Sequence, residues 1–190
     1  MILLDSETYE FILRIIVYTL IDYDVLEYPI NPFELSDKLG LKTHPYSKLS
    51  EEEENILINF SKDGFSTEKS NGEWHIFYRD KNMNQFRIRY TLMHEIGHFV
   101  LAHINIGGEK EEAETNFFSR NIIAPNVLIY NTLSFNVSPQ TIGEQFLLSK
   151  QASEIAYKNY LNWLYRFKKK GYKDYEIMLL NNIKIKKLVA

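Results

Sequence analysis

Thr91-Leu92-Met93-His94-Glu95-Ile96-Gly97-His98-Phe99 is the stretch that decides how this chain is read. Residues four apart on a helix lie one above the other on the same face. His94 and His98 can therefore aim two imidazoles at one point, with Glu95 beside them. Zinc accepts neutral imidazole nitrogens, and two such ligands plus a third leave a position for water. A carboxylate next to that water can take its proton. Two histidines at this spacing are ordinarily just polar residues on a solvated helix face. Here the flanks Leu92, Met93, Ile96, Phe99, Val100 and Leu101 are apolar, so the helix is expected to be buried. Buried histidines and a buried glutamate need partners, because unpaired polar burial is costly.

Two histidines hold zinc poorly, so a third ligand is required. Six residues after His98, where a third histidine would serve, stands Ile104. His103 is one residue short of that place. On a continuing helix it lies about 140° round from His98, at 100° per residue, and reads as a surface or packing residue. Beyond Gly107-Gly108, which lets the chain fold back, come Glu109, Glu111, Glu112 and Glu114. Such an acidic cluster is usually a solvated face, and spacing must choose among its members. Glu112 and Asn116 are four apart, the arrangement in which a carboxylate binds metal and its partner orients a ligand histidine. Glu112 is the choice on this ground, with Glu111 and Glu114 as alternatives. A donor set of two histidines and a glutamate favours zinc, with manganese and iron still open.

The bulk composition is that of an ordinary globular protein, with 190 residues, 45% apolar and 25% charged. A chain of this length can form one domain with a sizeable core, or one domain with an appendage. It has no cysteine, which excludes disulfides and thiolate ligands and is consistent with a reducing cytosol. The apolar run from Phe11 to Ile21 is too short to span a bilayer and contains Arg14. Acidic residues precede it, the opposite of a secretory leader. It reads as a core helix of a cytoplasmic protein.

Charge is uneven along the chain. From Arg166 onward eight Lys/Arg face Asp174 and Glu176, a local +6 that leaves −9 on residues 1–165. A basic tail can touch nucleic acid or an acidic partner. A solvated helix face is the plainer reading.

Helix signals cover most of the chain. They predict a helix over 7–22, and a short one capped by Asn31 with Pro32 at its first turn, Glu34 at N3 and Gly40 past its end. Ser50 and Glu53 form a capping box opening a helix to about Phe60. Phe65–Lys69 and Trp74–Arg79 flank Ser70-Asn71-Gly72-Glu73, a hairpin signal. The metal-binding helix is expected over 85–105, stopping at Gly107-Gly108. Another is expected over 109–124 before Pro125. Ser138-Pro139 and Ser149 open helices over 141–147 and 150–167. The expected fold is α+β and mostly helical, with a small antiparallel sheet. Residues 1–130 are expected to form the main domain and 131–190 a helical segment with a basic tail.

Taken together, these stretches resemble the ImmA/IrrE metallopeptidase family. Ile30 to Gly40 (INPFELSDKLG) is similar to the family's N-terminal helix and turn. Arg89 to His98 (RYTLMHEIGH) resembles its Arg-Phe-Thr-x-x-His-Glu-x-Gly-His signature. Glu112 to Pro125 (EAETNFFSRNIIAP) resembles its block Glu-x-Glu-Ala-Asn-x-Phe-Ala-x-x-Leu-Leu-Met-Pro, and Ile142 to Ala152 its helix-turn-helix-like C-terminal segment. Thr115, Ser119-Arg120 and Ala124 depart from the family pattern. The resemblance implies a zincin-like domain with His94, His98 and Glu112 on Zn²⁺ and Glu95 as the catalytic carboxylate. It also implies a cytoplasmic protease that cleaves a helix-turn-helix repressor, derepressing phage, mobile-element or stress genes.

Two other readings stand beside it. The fold could serve as a non-catalytic regulator that binds a repressor or toxin partner, its metal only bracing two helices. An intact Glu95 speaks against this, since a structural site needs no general base. Direct DNA binding through 141–167 is not expected, because Ser149-Lys150-Gln151-Ala152-Ser153-Glu154 offers little Arg or Lys to base edges. His44, His75 and the tyrosines are candidate oxyanion donors. Trp74–Tyr78, as a sheet edge, could pair with an extended substrate.

Overall fold

The computed structural model of the chain describes residues 3–103 and 107–186. Its first elements are α1 (Ser6–Asp22), β1 (Glu27–Tyr28), α2 (Pro32–Lys38), β2 (Lys42–Pro45) and α3 (Glu51–Phe60). Next come β3 (Gly64–Glu68), β4 (Trp74–Tyr78), α4 (Gln85–Val100), α5 (Glu109–Ile123) and α6 (Asn126–Leu133). The last are α7 (Pro139–Phe146), α8 (Lys150–Lys170), α9 (Asp174–Asn182) and β5 (Lys184–Ile185). The chain is α+β and mostly helical, as its periodicity predicts. Contacts gather it into two compact units, one built on Asn31–Ser119 and the other on Ser6–Ile30 with the residues from Arg120. This partition differs from a cut at residue 130. The apolar face of α1 (Ile12, Ile16, Val17, Leu20) is buried and packs against α9, so α1 joins the C-terminal helices.

In the first unit the local signals are realised as hydrogen bonds. The Asn31 side chain accepts from the Phe33 amide at 3.0 Å, with Pro32 filling the first helical position. Ser50 and Glu53 exchange both bonds of a capping box at the start of α3. β3 and β4 form the expected antiparallel hairpin with Ser66 opposite Ile76, and Gly72 takes φ +81° in its loop. Such a left-handed φ is freely open to glycine.

Two expectations about the sheet need correction. β2, which the sequence reading passes over, pairs parallel with β4, so the order is β2-β4-β3 and the sheet is mixed rather than antiparallel. Trp74–Tyr78 is therefore the central strand and not the edge; β2 and β3 are the outer strands. Lys42-Thr43-His44-Pro45 is too short and too polar to announce a strand. Its pairing comes from the ladder that β4 offers it, and its proline sits where edge strands tolerate one.

α4 lies across β3 and β4 and buries Leu92, Met93 and Ile96. It ends at Val100, well before Gly107-Gly108. Ala102 turns left-handed at φ +53°, donating to Phe99 O, while His103 N donates to His98 O, each at 3.0 Å. These two bonds are the Schellman end of a helix. The expected continuation through Ile104 and Asn105 falls outside the described residues.

α5 crosses α4 at Gly97. A Cβ there would stand 2.9 Å from both Phe118 Cδ1 and Thr115 Cγ2, and both side chains are fully buried. Gly97→Ala should therefore cost about 1–3 kcal/mol through overpacking, read as a lower urea midpoint with an unchanged m-value. A midpoint equal to that of the native chain would show that the helices are free to part.

The second unit packs α7 on α8, α1 on α9 and α6 on α8, with β1 and β5 joined as a short parallel pair. Trp163, Phe167, Tyr130 and Tyr172 form an aromatic cluster. Buried Glu176 is fully engaged, accepting from Trp163 Nε1 at 2.5 Å, Arg166 at 2.6 Å and the Lys173 amide at 2.8 Å. The basic tail is partly neutralised in place. Arg166 pairs with Glu176, Lys173 with Glu10 and Lys186 with Glu27. Lys187 lies outside the described residues.

Candidate metal centre

α4 presents His94 and His98 on one face, and α5 brings Glu112 opposite them. His94 Nε2 and His98 Nε2 are 3.2 Å apart. Glu112 Oε2 is 3.3 Å from the first and Oε1 3.4 Å from the second. Ligands of a tetrahedral ion at zinc–nitrogen distances of 2.0–2.1 Å stand about 3.3 Å from one another. Each pair of groups thus stands at about that spacing, the two carboxylate distances running to different oxygens of Glu112. Among the described residues this is the one group of three metal-type side chains with ligand atoms all within 4.8 Å. Glu112 is in place, while the two alternatives are not. Neither belongs to the convergent group, and the Glu114 carboxylate instead lies 3.0 Å from His103 Nε2.

The electrostatics suit a cation. Burial holds the His94 and His98 imidazoles neutral far into acid, each down to about 4. Neutral imidazole is the form a metal takes. Glu95 is 5% exposed, and burial raises its carboxyl to about 7, with the Glu112 charge adding to the effect. Its Oε2 accepts a 2.8 Å bond from Ser66 Oγ on β3, which favours the ionised form and ties the carboxylate to the sheet, close enough to Glu112 to feel its charge. Carboxyls poised near neutrality suit proton transfer.

These shifts give the metal-free protein a pH-dependent stability. The histidines titrate near 6.5 when unfolded and near 4 when folded, so between these values the folded state holds fewer protons. Stability then falls as pH drops through that window. Glu95 acts the other way, because its folded pKa is raised above its unfolded one, and stability falls as pH rises from about 4.5 to 7. Two imidazoles outweigh one carboxyl, so the urea midpoint without metal should be lower at pH 4.5 than at pH 6.5. Glu95→Gln should steepen that loss. A midpoint flat or rising towards acid would mean that the histidines are not held neutral.

The remaining expected residues fall in different places. Asn116 was expected to orient a ligand histidine. Instead its Oδ1 accepts from Tyr90 OH at 2.6 Å and its amide donates to Glu112 O at 2.7 Å. His44 and His75 bond each other at 2.8 Å with rings stacked. Ser66 shares a sheet face with its partner Ile76, so His75, one residue along, points to the opposite face. Neither histidine faces Glu95. Among the tyrosines, Tyr90 lies beside the site with its ring 6.3 Å from that of His94, and buried Tyr46 is near enough to Glu95 to feel its charge.

Sequence reasoning missed two contacts to the site. Ser66 carried no signal, since only strand register places it under Glu95. His103 was dismissed on a helical-wheel angle, but the helix ends before it, and the Schellman turn brings it back against His98 at 3.0 Å. Among the described residues no helix is long and apolar enough to cross a membrane. No protein-family model matches the chain, and comparison with curated proteins finds no match.

Proposed function

We propose that this chain is a zinc-dependent endopeptidase of the zincin type, similar to the ImmA/IrrE family. We further propose that it acts in the cytoplasm on a helix-turn-helix repressor. The single observation that carries the reading is the triangle of His94 Nε2, His98 Nε2 and Glu112 carboxylate at 3.2–3.4 Å, with the Glu95 carboxyl buried beside it. A metal brace alone would need the triangle and not the buried carboxylate, whose desolvation is costly without a task. That favours catalysis over the non-catalytic regulator that binds a repressor or toxin.

His94, His98 and Glu112 would hold the ion, which when bound supplies Lewis acidity towards a peptide carbonyl and lowers the pKa of water. Glu95 takes the proton of the attacking water on its carboxylate and returns it to the departing amine. Ser66 keeps that carboxylate aimed by donating to Oε2. β3 is an outer strand and carries Ser66, so its free edge lies where an extended substrate segment could add as a further strand.

The test is a zinc-loaded chain incubated with a proteome-derived peptide library, with new amino termini read by mass spectrometry and helix-turn-helix repressors assayed next. Termini produced by the native chain and absent with Glu95→Gln support the reading. Zinc bound at full stoichiometry with no termini above the Glu95→Gln background would overturn it in favour of the regulator.

A further inference from the structure

Behind the ligand triangle runs a second chain of polar groups. His98 Nδ1 lies 3.0 Å from His103 Nδ1, and Thr115 Oγ1 stands between the two rings, 3.3 Å from His98 Nδ1 and 3.2 Å from His103 Nδ1. His103 Nε2 lies 3.0 Å from Glu114 Oε2. The members are enclosed: His98 is 1% exposed, His103 8% and Thr115 fully buried. The Thr115 proton is committed, because Oγ1 donates to Glu111 O at 2.7 Å. Towards either histidine Thr115 can therefore only accept.

With His103 neutral and Glu114 ionised, hydrogen accounting gives one arrangement of the protons. Glu114, when ionised, is an acceptor only, so the ring nitrogen facing it, His103 Nε2, must carry a hydrogen. A neutral His103 then has a bare Nδ1, which can meet His98 Nδ1 at 3.0 Å only if that nitrogen carries its hydrogen. The Thr115 oxygen offers a second acceptor to the same N–H. His98 is left with a bare Nε2, the atom that faces Glu112 and His94; Glu112, at 3.4 Å, makes the more distant claim on the single His98 proton, against 3.0 Å to His103. We infer that Glu114, acting through His103, is a positioning pair that locks His98 into the one tautomer able to bind a cation at the triangle. Ligand histidines commonly donate their second N–H to a carboxylate or carbonyl; here the carboxylate acts through an intervening imidazole.

The local structure explains how His103 reaches this place. A helix continuing past Val100 would carry residue 103 away from His98. The left-handed Ala102 folds the chain back, and the bond from His103 N to His98 O ties the two residues together through the backbone as well. Glu114 and Thr115 are neighbours on α5, the helix that also supplies Glu112, so one helix provides a ligand and the far end of the relay.

This inference rests on the metal reading for its purpose, and the experiment separates the two. In zinc-free native protein, ¹⁵N-histidine spectra at pH 7.5 should show His98 protonated at Nδ1 and bare at Nε2, and His103 the reverse. Zinc affinity, from competition with a chromophoric chelator, should fall about 10–100-fold in His103→Phe and in Glu114→Leu. His103→Phe keeps a ring but offers no acceptor. His103→Gln, whose carbonyl can accept from His98 and whose amide can donate to Glu114, should recover most of the affinity, which a merely space-filling role would not predict. His98 found protonated at Nε2, or zinc bound as tightly by a folded His103→Phe as by the native chain, overturns the inference. A native chain with the stated tautomers that takes up no zinc upholds the relay and removes the metal reading beneath it.

Discussion

Glu95→Gln is expected to reduce peptide cleavage by about 10²–10⁴-fold, the usual span for a lost general base, while leaving the zinc content unchanged. The amide has nearly the same shape, and its carbonyl can still accept the bond that Ser66 Oγ now makes to Oε2 at 2.8 Å. It cannot take a proton from water. Glu95 is not one of the three convergent groups that could hold an ion, so the triangle of His94, His98 and Glu112 survives the change. Stability should move in the opposite direction to activity. Burial raises the Glu95 carboxyl to about 7, so above that pH the metal-free fold carries a desolvated charge. A shift from 4.5 to about 7 corresponds to about 3 kcal/mol of cost at alkaline pH, which the neutral amide removes. The variant should therefore be harder to unfold at pH 8 in the absence of metal. A variant that cleaves at the native rate, measured on the same peptide, would end the assignment of Glu95 as the base.

Glu112→Ala should lower the metal content from about one zinc per chain to a small fraction of that, measured by elemental analysis after dialysis against buffered zinc. Two imidazoles 3.2 Å apart remain, but the third corner of the shell is gone. Ligand linkage supplies a second readout. Zinc at 100 times its Kd stabilises the folded state by about 2.7 kcal/mol, so the native chain should show a clear rise in Tm on adding zinc and the variant little or none. Glu114→Ala is the informative comparison, since both glutamates lie on α5 two residues apart. If Glu114→Ala emptied the site and Glu112→Ala did not, the ligand assignment would be inverted. If neither variant nor native chain took up zinc, the endopeptidase reading would lose its support.

The two proposed roles on α5 show where sequence spacing stopped being informative. The i, i+4 relation of His94 and His98 is a property of any helix. The apolar flanks that make this one a buried helix are visible in the chain itself. The capping box at Ser50, the helix start at Ser138-Pro139 and the hairpin turn at Asn71-Gly72 were equally legible, because their causes lie within a few residues. Glu112 could be chosen over its neighbours only by analogy of spacing. The distances of 3.3 and 3.4 Å to the two histidines required α5 to pack against α4 at Gly97.

By itself the sequence determined the helix that carries the two histidines, the carboxylate between them and the mostly helical character of the chain. Each of these depends on local periodicity and on turns closed by near neighbours. The tertiary structure alone decided that β4 is the central strand, that Ser66 lies under Glu95, and that a left-handed Ala102 returns His103 to His98. It also decided that α1 joins the C-terminal helices. All of these depend on which surfaces meet across long stretches of chain. Strand order, ring contact and helix partner are set by burying apolar area while satisfying every enclosed polar group, and no window of a few residues contains that information.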